Sequence, residues 1–370
     1  MSKTTAIIGF IARAAIAGLA IAFLVIYLWP SLADHLATQK TEPEHTETTA
    51  AHSYADAVNR AAPSVVSVYT RSIGPPHALD PRLQEKLGFR YLYRLTQDMG
   101  SGVIISQDGY ILTNHHVISG VQDIWVSLWD GRVADARVVG SDPATDLAVL
   151  KVDLTGLPVA PIADDPEIRV GDVVLAIGNA LGFSHTVTMG IVSATGRSFQ
   201  RSLLYEDFIQ TDAAINAGNS GGALVNASGD LIGINTRNLD SAEGAQNIGF
   251  AIPITLARKV MRQIIDYGSV RRGWLGATFS DLRMTTLPDG TATRRGVGVV
   301  DVVKGGPAWN AGIRQGDVIM KLDDELVTNA NQFILDISQR DPGSKVELEV
   351  LRRGESFQTY ATLIQQPPLQ

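Results

Sequence analysis

The sequence contains no cysteine and no stripe of lysine and arginine. The lack of cysteine excludes disulfide bonds, a cysteine nucleophile and thiolate-ligated metal sites. Proteins that bind nucleic acid concentrate positive charge on one face, whereas this chain has a formal net charge of −7 and no basic patch. No nucleic-acid partner is therefore predicted, and the chemistry left open is that of serine, histidine and carboxylate side chains.

The composition is typical of a globular, loop-rich chain built mainly from β-strands. Hydrophobic residues make up 45% and charged residues 19% of the 370 positions, and 35 positions are glycine. This length predicts two or three domains, each large enough to bury a core. From residue 64 to residue 252, short β-branched runs alternate with glycine, and these roughly 190 residues suit two six-stranded antiparallel β-barrels.

The N-terminal segment predicts a membrane anchor. Residues 14–29 are an unbroken apolar run, and as a helix residues 14–33 are about 30 Å long, enough to cross a bilayer. Lys3 and Arg13 precede the run and Asp34 follows it, which keeps the N-terminus in the cytoplasm. The alternative is a cleaved signal peptide, since Ser31 and Ala33 are small residues at the two positions that a signal peptidase reads.

The remaining boundaries follow from changes in composition and periodicity. Three prolines interrupt the insert at residues 73–98, which predicts a long mobile loop. Helical spacing returns just after residue 252 and predicts a connecting helix. The predicted segments are an anchor (1–33), a flexible linker (34–52), a barrel domain (53–252), a connecting helix (253–268), a small β-rich domain (269–364) and a disordered tail (365–370).

A Gly-Asn-Ser-Gly-Gly segment at residues 218–222 suits a serine nucleophile. Glycine on both sides lets the loop adopt positive φ and brings backbone amides close to a substrate carbonyl. Ser220 is the candidate nucleophile, and the N–H groups of Gly218 and Ser220 are the candidate oxyanion hole. Read alone, the segment could also be an ordinary turn between two strands.

The histidines narrow the choice of general base. Only His115 and His116 directly follow a predicted strand, at residues 110–113. Adjacent residues in extended structure point to opposite faces, so only one can reach the serine, and together they cannot hold one metal ion. No metal site is predicted. The Thr-Asn-His-His-Val segment resembles the Ala-Ala-His-Cys segment of trypsin-like enzymes, which favours His116.

The carboxylate partner has one leading candidate and two competitors. Asp146 begins an alternating strand and is well placed to be buried against an imidazole, whereas Asp142, in Ser-Asp-Pro, is read as a turn former. Asp212 is the other competitor. His116 and Asp146 are 30 residues apart and Asp146 and Ser220 are 74 apart, so the first two fall in one barrel and Ser220 in the other. This His–Asp–Ser order is that of chymotrypsin and predicts a serine endopeptidase.

Three segments, at residues 109–117, 140–151 and 210–222, resemble the HtrA (Deg) family of PDZ-bearing serine proteases. The similarity runs from about residue 53 to residue 363. Residues 305–319 resemble a PDZ core, and the matching carboxylate-binding loop is formed by Trp274, Leu275, Gly276 and Ala277. Read alone, Trp274 and Leu275 would be plain core. The resemblance therefore implies a mostly β, chymotrypsin-like double barrel with one C-terminal PDZ domain.

The combination of one PDZ domain and an N-terminal anchor is more similar to the family's membrane-bound stress-sensor branch than to its soluble branch with two PDZ domains. That branch implies a homotrimer without cofactor, held in a bacterial inner membrane and facing the periplasm. It also implies cleavage of a membrane-spanning anti-sigma factor, activated by C-terminal peptides of misfolded outer-membrane proteins. The alternatives are a general periplasmic quality-control protease and, in another class, a membrane-tethered peptide-binding adaptor without activity.

Some residues bear on how such an enzyme would be regulated. His115 replaces a usual asparagine, and Ala217 stands where proline is common, which leaves the oxyanion loop less preorganised. Arg197 and Gln210, near the segment that precedes the nucleophile, are hypothetical relay residues between the PDZ domain and the active site. Ordinary surface hydrogen bonding is the competing interpretation of both.

Overall fold

The computed structural model describes most of the chain beyond residue 52. The described residues are 53–73, 77–78, 91–92, 95–162, 167–179, 186–198, 205–238, 248–282, 285–286, 292–293 and 296–367, with residues 13, 14, 16–21, 24 and 27 nearer the N-terminus. The chain divides into two compact units, Met1–Ser53 and Tyr54–Gln370.

The predicted anchor lies largely outside the described residues, and the predicted linker at residues 34–52 lies entirely outside them. The described residues of the anchor segment are helical. Within the part of the chain that the structure describes, no helix is both long enough and apolar enough to cross a bilayer.

The barrel region, residues 65–253, contains the first fifteen described strands. These are β1 (Val65–Ile73), β2 (His77–Ala78), β3 (Tyr91–Leu92), β4 (Leu95–Ile104), β5 (Tyr110–Asn114), β6 (Asp123–Ser127), β7 (Val133–Asp135), β8 (Arg137–Asp142), β9 (Leu147–Lys151), β10 (Val173–Gly178), β11 (Thr186–Arg197), β12 (Phe208–Thr211), β13 (Ala223–Asn226), β14 (Leu231–Asn238) and β15 (Gly249–Pro253). Helix α1 (Ala55–Ala61) and a 3₁₀ turn (Ala62–Ser64) precede them, and the short helix α2 (His115–Ile118) follows β5.

The second half of the barrel region is a closed six-stranded barrel in the order β10-β11-β12-β15-β14-β13. The first half is a seven-stranded sheet in the order β7-β6-β1-β4-β5-β9-β8. Only Ala136 separates β7 from β8, and its N–H bonds to the carbonyl of Ile124 at 2.9 Å. The predicted six-stranded first barrel is therefore wrong in its strand count, because the bend at Ala136 divides one extended segment into two strands.

The two halves bury a shared core. Leu112 and Leu147 of the first half pack with Ile177 and Ile234 of the second, and all four are fully buried. Apolar residues on successive strands bury at this boundary because both halves present one face to it. The boundary is also where the predicted catalytic residues meet.

The insert at residues 73–98 is not entirely a loop. Strand β1 continues to Ile73 and pairs in register with β4, which begins at Leu95. The pair β2–β3 lies between them. The prediction of a loop across the whole insert is therefore wrong at the ends of the insert, where β1 and β4 pair. Polar residues face each other across these two strands, and the hydroxyls of Ser72 and Thr96 are 2.6 Å apart. Residues 74–76, 79–90 and 93–94 lie outside the described part.

The predicted connecting helix is present as α3 (Ile254–Tyr267). Its apolar face buries Ile254, Ala257, Val260 and Ile264, which pack in the core shared by the two halves. The helix ends where Gly268 adopts a left-handed φ of 74° and donates its N–H to the carbonyl of Ile264 at 2.9 Å. Helix α3 is therefore part of the barrel region's packing and not a free connector.

The described residues of the C-terminal region, residues 269–367, form a small β-domain with two helices. Its elements are β16 (Gly273–Trp274), β17 (Ala277–Asp281), β18 (Thr285–Thr286), β19 (Ala292–Thr293), β20 (Val297–Val302), α4 (Pro307–Asn310), β21 (Val318–Leu322), β22 (Glu325–Leu326), α5 (Ala330–Ser338), β23 (Lys345–Arg352), β24 (Glu355–Thr362) and β25 (Ile364–Gln365). The main sheet has the order β17-β20-β21-β23-β24, so β17 is an edge strand. Phe333 and Ile337 of α5 pack on this sheet against Val297 and Val350.

A buried ion pair joins the two regions. Both guanidinium Nη atoms of Arg272 donate to the carboxylate of Asp142, at 2.9 and 2.5 Å, and the two residues are 8% and 5% exposed. The Tyr205 ring stacks 4.5 Å from the guanidinium, and Thr145 donates its hydroxyl to the same carboxylate. The interpretation of Asp142 as only a turn former was therefore incomplete, although Thr145 N–H does close a turn onto its carbonyl at 3.3 Å.

Helix α5 makes further contacts between the regions. Leu335 packs with Tyr205 and Ala144 in a small buried cluster. Asn331 donates to the backbone carbonyl of Glu206 at 2.5 Å. One face of α5 thus fills the core of the C-terminal region, while other residues of the same helix contact the barrel region beside β12.

Candidate active site

Asp146 and His116 form a direct pair. The Oδ2 atom of Asp146 is 2.7 Å from Nδ1 of His116, and its Oδ1 accepts the His116 backbone N–H at 3.0 Å. The carboxylate is buried, whereas 49% of the His116 side chain is exposed. Because an ionised carboxylate can only accept, the pair places a proton on Nδ1 and leaves Nε2 as the basic nitrogen.

Strand pairing explains why these two residues meet. Strands β5 and β9 are antiparallel, with Asn114 opposite Leu147, so the end of one strand lies beside the start of the other. Asp146 adopts a left-handed φ of 56° at that start, which directs the chain into β9. Its backbone carbonyl accepts from the Asn114 side chain at 3.0 Å and from the His115 N–H at 3.1 Å.

Thr236, on β14, contacts two of the predicted catalytic residues and was missed by the sequence analysis. Its hydroxyl donates to Oδ2 of Asp146 at 2.7 Å, and its backbone carbonyl accepts the Ser220 hydroxyl at 2.7 Å. The residue is 1% exposed. A threonine in the middle of a strand carries no motif, so only the fold could bring it to Asp146, 90 residues away in sequence.

The protein keeps Asp146 ionised. Burial by itself would raise the pKa of this carboxyl, but hydrogen bonds from His116 and Thr236 and the attraction of the imidazole outweigh burial and lower its pKa below the usual value. An ionised Asp146 stabilises an imidazolium on His116, which is the species formed when that ring accepts a proton from a nucleophile.

Ser220 lies in the same network at its other end. Its hydroxyl donates to the Thr236 carbonyl, and among the described residues no hydrogen bond joins it to His116. The hydroxyl would therefore have to leave this carbonyl before donating to Nε2 of His116. All three predicted residues are connected, from Ser220 through Thr236 to Asp146 and His116.

Ser101 of the first half holds the nucleophile loop. Its hydroxyl donates to the carbonyl of Gly218 and its N–H to that of Ser220, each at 2.7 Å. A Cβ at Gly221, whose φ is +83°, would lie 2.1 Å from the Ser101 carbonyl oxygen, so only glycine fits there. The N–H groups of Gly218 and Ser220 donate to no described group, which leaves both available to an oxyanion. Ser101 is a second residue that no motif indicated.

The competing candidates lie elsewhere. Asp212 accepts the backbone N–H of Ile191 at 2.7 Å, so its carboxylate is engaged away from His116. His115 has a buried Nδ1 with no hydrogen-bond partner among the described residues, and of the two histidines His116 is the one whose ring contacts Asp146. The expectation that the two histidines lie in extended structure is wrong, because both fall in α2, where adjacent side chains also diverge.

The hypothetical relay residues lie on neighbouring strands of the closed barrel. Arg197 is opposite Phe208 at the end of β11, and Gln210 lies on β12 between Ala194 and Phe250. Within the described chain, no hydrogen bond joins Arg197 to Gln210 or either of them to the Ser220 network. Their role stays a prediction.

The predicted carboxylate-binding loop connects β16 to β17. Gly276 has a φ of +74°, and the carbonyls of Leu275 and Gly276 accept from Ala308 and Val303 at 2.8 and 2.9 Å. The N–H groups of Leu275 and Gly276 donate to no described group. Trp274 belongs to β16 and Ala277 begins β17, so the loop leads into the edge strand of the sheet.

Comparisons with known protein families match both regions. A model described as a trypsin-like peptidase domain matches residues 100–234, and a PDZ domain model matches residues 273–362.

Relatives match along most of the chain. The serine endoprotease DegS of Escherichia coli K12 is 40% identical over 360 residues, covering 96% of this chain and 98% of that protein. A probable periplasmic serine endoprotease, DegP-like, of Hahella chejuensis is 39% identical and covers 84% of this chain and 69% of that protein. The structure of the HtrA-type protease AlgW with a decapeptide has a TM-score of 0.71 at 45% identity, covering 86% of this chain and all of that chain.

Proposed function

Because this chain belongs to the HtrA family of PDZ-bearing serine endopeptidases, we propose that it is a periplasmic stress-sensor protease that C-terminal peptides activate. The proposed substrate is a membrane-spanning anti-sigma factor, and the proposed activators are C-termini of misfolded outer-membrane proteins. The observation that carries the proposal is the network from Ser220 through Thr236 and Asp146 to His116, beside two backbone N–H groups that donate to no described group.

In the proposed mechanism each residue of the network has one task. His116 Nε2 accepts the Ser220 proton as the hydroxyl oxygen attacks the scissile carbonyl, and Asp146 stabilises the resulting imidazolium. The N–H groups of Gly218 and Ser220 bind the oxyanion. The imidazolium then protonates the leaving amine. In the second half of the reaction His116 accepts a proton from water as the water attacks the acyl-enzyme, and then returns a proton to the Ser220 oxygen.

The C-terminal region is suited to control this chemistry. A peptide carboxylate would bind the N–H groups of the Trp274–Leu275–Gly276–Ala277 loop, and the peptide would add as a strand to the edge of β17 that pairs with no described strand. Arg272 lies two residues before the loop and pairs with Asp142, four residues before Asp146. The loop and the catalytic carboxylate are thus joined by a short path through this buried ion pair.

A peptide that ends in a hydrophobic residue with a free carboxylate should activate the enzyme, and its amidated twin should not. A ligand raises activity only if it binds the active arrangement more tightly, and such coupling is typically about 5- to 150-fold. The measurement is cleavage of an unfolded protein substrate by the full chain in detergent, with each peptide titrated. The Ser220→Ala variant is the matched control and should bind the free peptide without cleaving.

Two results would overturn this regulation. Equal stimulation by both peptides would mean that the terminal carboxylate is not read. Full cleavage of the unfolded substrate without any peptide would favour a general quality-control protease.

We also propose that the chain is a homotrimer held in the inner membrane by a retained anchor at residues 14–33. The length of the apolar run and the charges on either side support this topology. Mature protein should fractionate with the inner membrane, resist alkaline extraction and begin near Met1. An N-terminus at Asp34, with the protein free in periplasmic extract, would instead establish a cleaved signal peptide.

A further inference from the structure

A cavity of about 170 Å³ lies where α3 meets the C-terminal region. Helix α3 contributes Lys259 and Arg262 to its lining, and the start of the C-terminal region contributes Arg271 and Arg272. None of the residues that line the cavity carries a carboxylate. The chain as a whole has a formal net charge of −7, so this concentration of cations runs against its average charge.

Two of the four cations are largely accounted for by neighbouring groups. Asp142 neutralises Arg272. Lys259 donates to the neutral side chain of Gln339 at 2.5 Å. Burial raises the pKa of the nearby Asp336 carboxyl, and the positive charge of Lys259 offsets part of that rise. These two residues alone would not call for an anion.

Arg262 and Arg271 are not neutralised in this way. Within the described chain, neither guanidinium has a carboxylate partner, and that of Arg271 stacks 4.1 Å above the Tyr267 ring. A guanidinium presents planar paired donors that match phosphate oxygens. Two such groups from different elements line this one cavity, and together they would form an anion clamp across the α3 boundary.

The hydroxyl groups of the remaining lining add no further donor for an anion. The hydroxyls of Thr145 and Ser338 already donate to Asp142 and to the Leu335 carbonyl, and Leu256, Val260 and Leu335 provide apolar wall. A cavity needs about 10–15 Å³ to hold one water, so a volume of about 170 Å³ has room for a phosphate or pyrophosphate anion. We propose that the cavity binds a small soluble phosphate-bearing anion, which bridges α3 and the C-terminal region.

The location gives such a ligand a route to the active site. Thr145 lines the cavity, bonds to Asp142 and directly precedes Asp146. An anion held by both Arg262 and Arg271 would link α3 to the C-terminal region. Binding itself requires no proteolysis, so this proposal is independent of the proposed substrate.

The test uses full-length Ser220→Ala protein in detergent and inorganic pyrophosphate as the probe. Calorimetric titration at constant ionic strength, set with sodium chloride, should detect binding. Thermal unfolding with pyrophosphate present should show a raised Tm. The variant Arg262→Gln/Arg271→Gln should bind pyrophosphate about tenfold more weakly or worse, because both guanidinium groups of the clamp are lost. Arg314→Gln is the matched control, since it removes a guanidinium that stacks on Trp309 outside the cavity lining, and it should bind as the parent does.

Three outcomes would overturn the proposal. The first is no pyrophosphate binding by the parent, and the second is equal affinity in the double variant when its Tm without ligand matches that of the parent. The third concerns the source of the phosphate. Binding to phosphatidylglycerol vesicles that the double variant loses, without pyrophosphate binding, would assign the clamp to a lipid headgroup.

Discussion

His116→Ala and Ser220→Ala each lower kcat by on the order of 10³-fold or more, as removal of members of such a triad does elsewhere. His115→Asn lowers it by less than about tenfold, because the His115 ring makes no contact with Asp146 while the His116 ring does. The measurement is steady-state cleavage of one unfolded substrate by all three variants, with an activating peptide present.

Labelling by a fluorophosphonate probe provides the control, because it reports the nucleophile independently of the substrate. Parent and His115→Asn should label and Ser220→Ala should not. An inactive His115→Asn beside an active His116→Ala would show that the general base is misassigned. A parent that neither labels nor cleaves would favour the peptide-binding adaptor.

Asp146→Asn lowers kcat by about 10⁴-fold while the fold survives, since an amide can donate to Nδ1 and so hold the ring in the wrong tautomer. Thr236→Val is the milder change. It removes one of the hydrogen bonds that lower the pKa of Asp146 and so leaves that pKa higher. We expect Thr236→Val to lower kcat by about tenfold, for the loss of about 1.5 kcal/mol from a hydrogen bond to a charged group.

The pH dependence of stability follows from the sign of the Asp146 shift. The folded pKa lies below the unfolded one, so the ionised carboxylate stabilises the fold above the unfolded pKa and loses that contribution as pH falls through the folded pKa. The destabilisation of Thr236→Val, measured by urea unfolding, should therefore be largest at neutral pH and shrink in acid. A difference that grows as pH falls would contradict this account.

The sequence indicated the residues that belong to motifs and missed those that only the fold assembles. Ser220, His116 and Asp146 stand in glycine-flanked or strand-flanking segments whose chemistry is readable. Thr236 and Ser101 stand in ordinary strands and reach the site through pairing between distant segments. Nothing local distinguishes them from other buried hydroxyl residues.

The fold shows the same division. Helix α3 and the closed second barrel follow from periodicity, because each buries one regular face. The pairing of β1 with β4 was missed because polar residues such as Thr96 and Asp98 give β4 no alternation at its start. The division at Ala136 arises because β7 pairs with β6 whereas β8 pairs with β9, and no single segment encodes that change of partner.

The buried pair of Arg272 and Asp142 constrains how the chain can vary. Replacing one partner leaves an uncompensated buried charge, at a cost of about 3–5 kcal/mol, whereas replacing both with apolar residues of similar volume is often neutral. Each single step therefore passes through an unstable intermediate, although both end points fold. Positions 142 and 272 are thus epistatic, and an evolutionary lineage that changes one is expected to change the other with it.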